Sequence, residues 1–305
     1  MKAGTNLEKV LESGQFAVTA EAGPPKGTNP DVIRKRGELL RSGCDAVNIT
    51  DNQTAIVRMS SLAGCILLKQ MGVEPVMQMV VRDRNRLALQ SDVLGGVAFG
   101  IGNFLCLSGD HQKFGNHPTA RGVFDIDSIQ LIQMLKKMRD EKKFLGGDDI
   151  SGEAPLFIGA AENPFADPFE YRVHRLAKKI KAGADFIQTQ AVYDVARFAQ
   201  WMKMVTEMGL DKQVHILAGV IPIKSAGMAR YMKSSVPGVS VPDSIVTRMA
   251  GTKNAKEEGV NIILEIIGQI RQIPGVHGVH IMAVGWEEIV PDIVGRAGLL
   301  PRPKL

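Results

Sequence analysis

The chain has 305 residues, of which 45% are hydrophobic, and 37 Lys and Arg stand against 32 Asp and Glu, for a net charge of +5. This composition supplies enough apolar side chains for a large core and contains only three Cys. It therefore excludes a disordered chain, a collagen-like repeat and a disulfide scaffold. The small, scattered charge excess argues against nucleic-acid binding and is typical of a solvated surface. At this length, two average domains or one closed α/β barrel of about 250 residues are both open.

Residues 1–15 are polar and amphipathic, which predicts an N-terminal helix, and no run of about 18 apolar residues occurs anywhere. We therefore expect a cytoplasmic protein without a membrane span. Cys44, Cys65 and Cys106 stand alone in apolar sequence, which predicts buried thiols. The histidines form no HxH or HExxH cluster, so no metal site is expected; they are His111, His117, His174, His215, His277 and His280.

Eight short β-rich apolar runs predict eight strands, at residues 16–20, 46–50, 75–81, 104–107, 156–160, 185–189, 214–218 and 279–283. Amphipathic stretches between most of them predict helices, for example over residues 31–42, 56–70, 171–182 and 195–208. Five of the seven offsets between successive strands are about 29 residues, the length of a compact βα unit.

Eight alternations of strand and helix predict one (β/α)8 TIM barrel over residues 1–305, an α/β fold in which the N-terminal helix caps the barrel. The rival is an open doubly wound sheet, which usually carries GxGxxG after a strand. None of the eight runs is followed by that motif, and the glycine-rich residues 95–102 precede a strand, where a helix end is the better interpretation.

In such barrels the reactive groups lie where strands end and βα loops begin. The residues at these junctions are Glu21 with the following GPPKG loop, Thr50, Asp51, Asn52, Gln78 within the third strand, Arg82, Asp83, Ser108, Gly109, Asp110, Ala161, Glu162, Asn163, Gln190, Pro222, Lys224 and Gly285. The polar, Gly-rich segment 110–126 is either a lid over the barrel mouth or a flexible linker.

Three junction residues offer chemistry. Glu21 follows the first strand among small residues and prolines, where desolvation favours the protonated form that a general acid requires; a salt-bridged carboxylate is the alternative. Asp110 follows Gly109 and either binds a ligand N–H or caps the next loop. Gln190 offers a donor and an acceptor to a pterin-like ring, whereas Gln188, on the same face, suits a polar layer inside the barrel.

From Phe16 to Leu299 the chain resembles the catalytic barrel of methylenetetrahydrofolate reductase. The shared elements, in chain order, are Glu21 to Pro25, Leu107 to Asp110, Ala160-Ala161, Lys179 to Ala184, Thr189-Gln190, and Ala218 to Pro222. Each motif is weak alone, and their common order and spacing make the match specific.

The resemblance implies a bound flavin, FAD or FMN, whose N5 gives a hydride to 5,10-methylenetetrahydrofolate to form 5-methyltetrahydrofolate. It implies that Glu21 protonates N10 of the folate, that Asp110 lies near flavin N1 and the pterin, and that Gln190 binds the folate. The residues implied to line the flavin are Thr50, Gln78, Leu107, Ser108, Gly109, Asp110, Phe124, Ala160, Ala161 and Lys179, with Lys179 at the phosphates.

Several positions depart from the family pattern. The pair Ala22-Gly23 replaces aromatic residues, Ser108 replaces Arg, Gln78 replaces His, and Trp286 replaces Arg. Ala226 stands near the place of an aromatic residue that stacks the nicotinamide cofactor. The departures suggest a short, acetogen-like form that takes electrons from a partner subunit with zinc or iron–sulfur centres, since this chain has no ligand set for such a cluster.

Two other functions stay open, as does assembly into an oligomer. A barrel aldolase or lyase would use Lys224 or Lys179 as a Schiff base. A pterin-binding subunit that presents a methyl group would perform no redox chemistry.

Overall fold

Eight parallel strands close into a barrel in the order β1 to β8. They are β1 Ala17–Ala22, β2 Ala46–Ile49, β3 Pro75–Val80, β4 Asn103–Leu107, β5 Phe157–Glu162, β6 Phe186–Ala191, β7 His215–Val220 and β8 Gly278–Ile281. The structure is a computed structural model that describes residues 1–236 and 238–305. The predicted (β/α)8 TIM barrel and its eight strands are confirmed, with bounds that differ from the prediction by at most two residues.

The carboxyl ends of β1, β5, β6 and β7 run two residues further than predicted, whereas β8 ends two residues earlier. Glu21, Glu162 and Gln190 therefore lie on the strands themselves and not in the loops that follow. A strand gives a side chain a fixed direction, into the barrel or outward, so this extension decides which polar groups face the mouth.

The amino-terminal end of the barrel is filled by apolar side chains and covered by helix α1, Asn6–Glu12. Leu7, Val10 and Leu11 of α1 pack on one buried cluster with inward side chains of the strands, namely Ala17, Ala46, Val76, Leu105, Phe157, Phe186 and Leu217. The capping role predicted for the N-terminal helix follows directly from this packing, because the apolar stripe of α1 closes the bottom layer.

Ten further helices surround the barrel in the described residues: α2 Asp31–Leu40, α3 Ser61–Gln70, α4 Arg86–Ala98, α5 Ser128–Asp140, α6 Tyr171–Ala182, α7 Val195–Glu207, α8 Ala226–Ser235, α9 Asp243–Gly251, α10 Ala255–Ile270 and α11 Val290–Arg296. The helix predicted from residue 56 begins at Ser61, because the Ser60 hydroxyl accepts the Ala63 N–H as an N-cap. The predicted helix end before β4 is confirmed, since α4 stops at Ala98 and Gly100 has a φ of +75°.

The C-terminal residues return to the closed end of the barrel. The Arg302 guanidinium lies 2.5 Å from the buried Asp45 carboxylate and donates to the Phe16 carbonyl. The described part of the chain contains no helix that is both long and apolar enough to cross a bilayer. Burial raises the pKa of the Cys65 and Cys106 thiols, as expected of cysteines in a core.

Candidate active site

Glu21 lies at the open end of the barrel, with its carboxylate partly exposed in the mouth. Its side chain is 14% exposed, and Oε1 accepts a hydrogen bond from Gln78 Nε2 at 3.0 Å. The basic group that the described residues bring into ion-pair range of Glu21 is His280, with Nε2 at 3.9 Å from Oε1. The alternative of a carboxylate tied up by Lys or Arg therefore finds no support, and Glu21 is accessible to a ligand.

Four buried side chains form a hydrogen-bonded chain beneath Glu21, which we call the polar layer: Thr19, Asn48, Gln188 and His280. Asn48 Nδ2 donates to Gln188 Oε1 at 2.7 Å, and Gln188 Nε2 donates to Asn48 Oδ1 and to Thr19 Oγ1, both at 3.1 Å. Thr19 Oγ1 lies 2.9 Å from His280 Nδ1. Gln188 thus fits the structural role that the sequence left open for it, whereas Thr19, Asn48 and His280 were missed.

Thr50 follows the last residue of β2 and carries an unpartnered hydroxyl at the mouth. The residue is 1% exposed, and Oγ1 has no hydrogen-bond partner among the described residues. A buried polar atom without a partner costs about 1 to 3 kcal/mol, so such atoms are rare unless a ligand completes them. A Cβ at Gly23 would lie 3.9 Å from this oxygen, so the glycine keeps the space around it open.

Asp110 lies beyond the end of β4, and both its side chain and its backbone carbonyl accept hydrogen bonds. Its Oδ2 accepts the Thr54 N–H at 3.0 Å, and its carbonyl accepts a hydrogen bond from Arg82 at 3.0 Å. The N-cap of the following turn is His111, whose Nδ1 accepts the Lys113 N–H. The alternative that Asp110 caps its own loop is therefore wrong, because the carboxylate crosses to the loop after β2.

Arg82 ties three loops of the mouth together. The residue is only 2% exposed, and its guanidinium pairs with Asp83 at 2.6 Å while donating to the carbonyls of Asn52 and Asp110. Gly109 has a φ of +84°, and a Cβ there would lie 3.1 Å from Val80 Cβ. Only a glycine lets the chain pass this closely, so the backbone at Asp110 has a defined position.

The segment 110–126 lies over the loops that follow β2 and β3. Val123 and Phe124 donate their N–H groups to the carbonyls of Arg82 and Val81. Asn116 accepts the Val57 N–H at 3.2 Å. These contacts favour a lid over a free linker. Phe124, predicted to line the flavin, is 47% exposed on this segment, with a left-handed φ of +39°.

Lys179 differs from the prediction. Its Nζ lies 2.6 Å from Glu162 Oε2 and 2.5 Å from the Ala161 carbonyl, and the two charged side chains are only 7% and 1% exposed. Burial lowers the pKa of Lys179, and the Glu162 carboxylate opposes that shift. This correction has a simple cause: the ammonium already has two partners inside the protein and does not face the mouth.

Arg172 and Arg175 lie one turn apart on α6, near the helix end that follows β5, and both are partly exposed. Arg172 Nε is buried without a hydrogen-bond partner in the described structure. These guanidinium groups have free capacity for an anion, which Lys179 lacks.

The other predicted residues divide between two faces of their strands. Leu107, Ala161 and Gln190 are the partly exposed strand-end residues of β4, β5 and β6, in the same position as Glu21 on β1. Ala160 is buried in the core between strands and helices, so its side chain does not line the mouth as predicted. Ser108 donates to the Ser128 hydroxyl at 3.2 Å.

The geometry bears on two further chemistries, a Schiff base and a metal site. Lys224 is partly exposed and donates to the Gly285 carbonyl at 3.3 Å, so it is not the desolvated amine that a Schiff base requires. Within the described residues, no group of three or more His, Cys, Asp or Glu side chains is arranged to hold a metal ion. The mouth presents two carboxylates, Glu21 and Asp110, and several hydrogen-bonding groups.

Comparison with known proteins gives a consistent result. A family model described as methylenetetrahydrofolate reductase matches residues 6–298. Methylenetetrahydrofolate reductase 2 of Schizosaccharomyces pombe is 27% identical over 218 residues, which are 67% of this chain and 32% of that protein. The 5,10-methylenetetrahydrofolate reductase of Pectobacterium carotovorum is 24% identical over 75% of this chain and 72% of that protein.

Among solved structures, an uncharacterized protein from Clostridium thermocellum that binds two copies of 5-methyl-5,6,7,8-tetrahydrofolic acid has a TM-score of 0.68. The two chains are 14% identical, and the match covers 95% of this chain and 97% of that protein. The likeness supports the fold. The chain spans a third or less of the length of the fungal relatives it matches.

Proposed function

The chain belongs to the methylenetetrahydrofolate reductase family, and from this premise we propose that it reduces 5,10-methylenetetrahydrofolate to 5-methyltetrahydrofolate with a bound flavin. The observation that carries the proposal is the accessible Glu21 carboxyl at the barrel mouth, held by Gln78 at 3.0 Å and free of Lys and Arg partners in the described structure. A positioned carboxyl group of this kind supplies general acid catalysis.

In this proposal Glu21 carries the proton that N10 of the folate accepts, so that the five-membered ring opens and leaves a cationic one-carbon centre on N5. The Gln78 amide then stabilises the carboxylate that remains. Gln190, partly exposed at the end of β6, offers its amide to the folate ring. Asp110 places a carboxylate beside the mouth, which favours a cation there.

The residues fit a flavin. Thr50 supplies a buried hydroxyl without a partner in the described residues, and Gly23 leaves the space beside it free of a side chain. Arg172 and Arg175 offer free guanidinium donors for phosphate, in place of Lys179. A reduced flavin, when bound, supplies the hydride for the one-carbon centre.

We further propose that electrons reach this chain through a partner subunit that carries zinc or iron–sulfur centres. The support comes from two described positions: Trp286 is buried, and Ala226, at the start of α8, stands near the place of the family's aromatic residue, so neither offers a ring to stack a nicotinamide. Rapid oxidation of NADH by the purified, flavin-loaded chain alone would refute this part.

The test of the function uses purified protein titrated with FMN and with FAD, followed by anaerobic chemical reduction and mixing with 5,10-methylenetetrahydrofolate. The proposal predicts tight uptake of one of the two flavins and reoxidation of that flavin as 5-methyltetrahydrofolate forms. Colourless protein that takes up neither flavin would refute it.

A second candidate is a folate-binding protein without redox activity. It is favoured by the Clostridium thermocellum neighbour, which is described only as binding 5-methyl-5,6,7,8-tetrahydrofolic acid. Protein that binds this folate tightly and binds no flavin would establish the second candidate in place of the first.

A further inference from the structure

The polar layer contains a complete chain of donors and acceptors. Gln188 Nε2 has two hydrogens, and they go to Asn48 Oδ1 and Thr19 Oγ1. Gln188 Oε1 is occupied by the Asn48 amide. Thr19 Oγ1 thus already accepts one hydrogen bond from Gln188, and its own O–H is left to donate.

Within the described residues, the acceptor in reach of that hydroxyl is His280 Nδ1. The contact between Thr19 Oγ1 and His280 Nδ1 is 2.9 Å, and a hydroxyl that donates here requires Nδ1 to be the unprotonated ring nitrogen. With Nδ1 as the acceptor, a neutral imidazole carries its hydrogen on Nε2. Nε2 is the atom that faces Glu21 Oε1 at 3.9 Å.

We propose that His280 is a positioning residue for Glu21, fixed by the polar layer as a neutral ring that can donate to the carboxylate and cannot take its proton. The inference rests on the proposed function for its kinetic consequence. Its structural part, the protonated Nε2 directed at Glu21, is independent of any substrate.

One carboxylate faces His280 and would favour a charged ring, so the neutral ring rests on the Thr19 hydroxyl. On β1 its neighbours are Thr19, in register with it, and Glu21; on β7 the residue in register is Gly219. Glu21 is therefore the one titratable side chain that these flanking strands bring to the ring within the described residues. A second ring proton, on Nδ1, would point at the Thr19 O–H, whose oxygen lies 2.9 Å away. The hydroxyl would then lose Nδ1 as its hydrogen-bond acceptor.

The same geometry explains how Glu21 can release a proton. At 3.9 Å the Nε2 to Oε1 separation is about 1 Å longer than a hydrogen bond. When Glu21 becomes a carboxylate, a small rotation lets it accept from both Gln78 and His280. The polar layer thus favours the charged product of proton transfer without competing for the proton beforehand.

The first test is nitrogen NMR of the full chain labelled with ¹⁵N-histidine, assigned by His280→Gln. The expected spectrum has a pyrrole-type Nε2 and a pyridine-type Nδ1 for His280. Thr19→Val removes the donor to Nδ1 and should shift the Nδ1 resonance, whereas Thr19→Ser keeps the hydroxyl and should restore it. An imidazolium, or a ring protonated on Nδ1 in the wild-type chain, would overturn the proposal.

The second test compares His280→Leu with His280→Gln, because glutamine keeps an N–H near the place of Nε2. His280→Leu should slow folate reduction by the pre-reduced, flavin-loaded chain roughly ten- to a hundredfold, the scale of a lost hydrogen bond to a charged group, while chemical reduction of the flavin is unchanged. His280→Gln should retain most of the rate, and His174→Gln, on the exposed side of α6, should match the wild type.

If His280→Leu and His280→Gln slow folate reduction equally, the ring serves packing alone, and the proposal is overturned. If His280→Leu does not fold, the rates of folate reduction by Thr19→Val and Thr19→Ser are compared in its place. A wild-type chain that has the predicted ring protonation but reduces no folate would refute the proposed function, and the placement of the Nε2 hydrogen toward Glu21 would stand.

Discussion

Replacing Lys179 by Met tests whether this lysine serves the protein or a phosphate. The ammonium lies 2.6 Å from Glu162 Oε2, and the Glu162 side chain is 1% exposed. Lys179→Met leaves a buried carboxylate whose remaining donor is the Asn163 N–H at 3.1 Å. Removing one partner of a buried ion pair costs about 3 to 5 kcal/mol, and we expect that loss in the free energy of unfolding.

The measurement is urea unfolding of the flavin-free chain, with Lys178→Met as the matched control, because Lys178 is the exposed neighbour. The control should stay within about 0.5 kcal/mol of the wild type. The double variant Lys179→Met with Glu162→Gln removes both charges and should recover at least half of the loss. Wild-type stability in Lys179→Met, together with weak flavin binding, would refute this reasoning and favour the phosphate role that the family resemblance implies.

Two further predictions concern His215 and Thr50. Burial lowers the pKa of His215 from 6.5 to about 4, so the unfolded chain takes up a proton first as the pH falls. Stability should drop by about 2 kcal/mol between about pH 6.5 and pH 4, allowing for partial exposure. His215→Asn should remove this part of the pH dependence of urea midpoints, and an unchanged slope would contradict it. Thr50→Val removes the unpartnered hydroxyl, so the flavin-free chain should gain up to about 1 kcal/mol while flavin affinity falls roughly fivefold. Unchanged affinity in a flavin titration would contradict the assignment of Thr50 to the flavin.

The barrel could be predicted because each βα unit needs a minimum length and each buried strand needs an apolar run. The carboxyl ends of the strands were harder to locate. In β1 and β6 the hydrophobic pattern stops before the hydrogen bonding does, since Glu21 and Gln190 point into the mouth while Ala22 and Ala191 point to the core. Polar residues at these strand ends interrupt the apolar pattern at the positions where a site is built.

The polar layer was missed for a different reason. Thr19 and His280 are 261 residues apart in sequence and meet because β8 closes the barrel against β1. The sequence did contain a signal for this layer. A polar residue stands two positions before a mouth residue on the same strand, as Thr19 does before Glu21 and Gln188 before Gln190. Residues two apart lie on the same face of a strand. Which residues then pair across the barrel depends on the register, which the sequence pattern does not contain.

Lys179 shows that a residue's role in a family motif does not always transfer to the matching position of this chain. The Lys179 to Ala184 run identified the correct helix and family, yet the partner of the ammonium, Glu162, lies on β5 and not in the motif. A buried lysine with a carboxylate within reach pairs with it, because an uncompensated charge in the core costs more than the contact it could make outside.

The most direct test of the account is the rate at which Glu21→Gln reduces folate. The variant, loaded with flavin and chemically reduced without oxygen, is mixed with 5,10-methylenetetrahydrofolate, and flavin reoxidation is followed beside wild type and Glu12→Gln, an exposed control on α1. We predict normal flavin binding and reduction in Glu21→Gln, with folate reduction slower by roughly two to four orders of magnitude. Folate reduction at the wild-type rate would remove Glu21 from the chemistry and contradict the account.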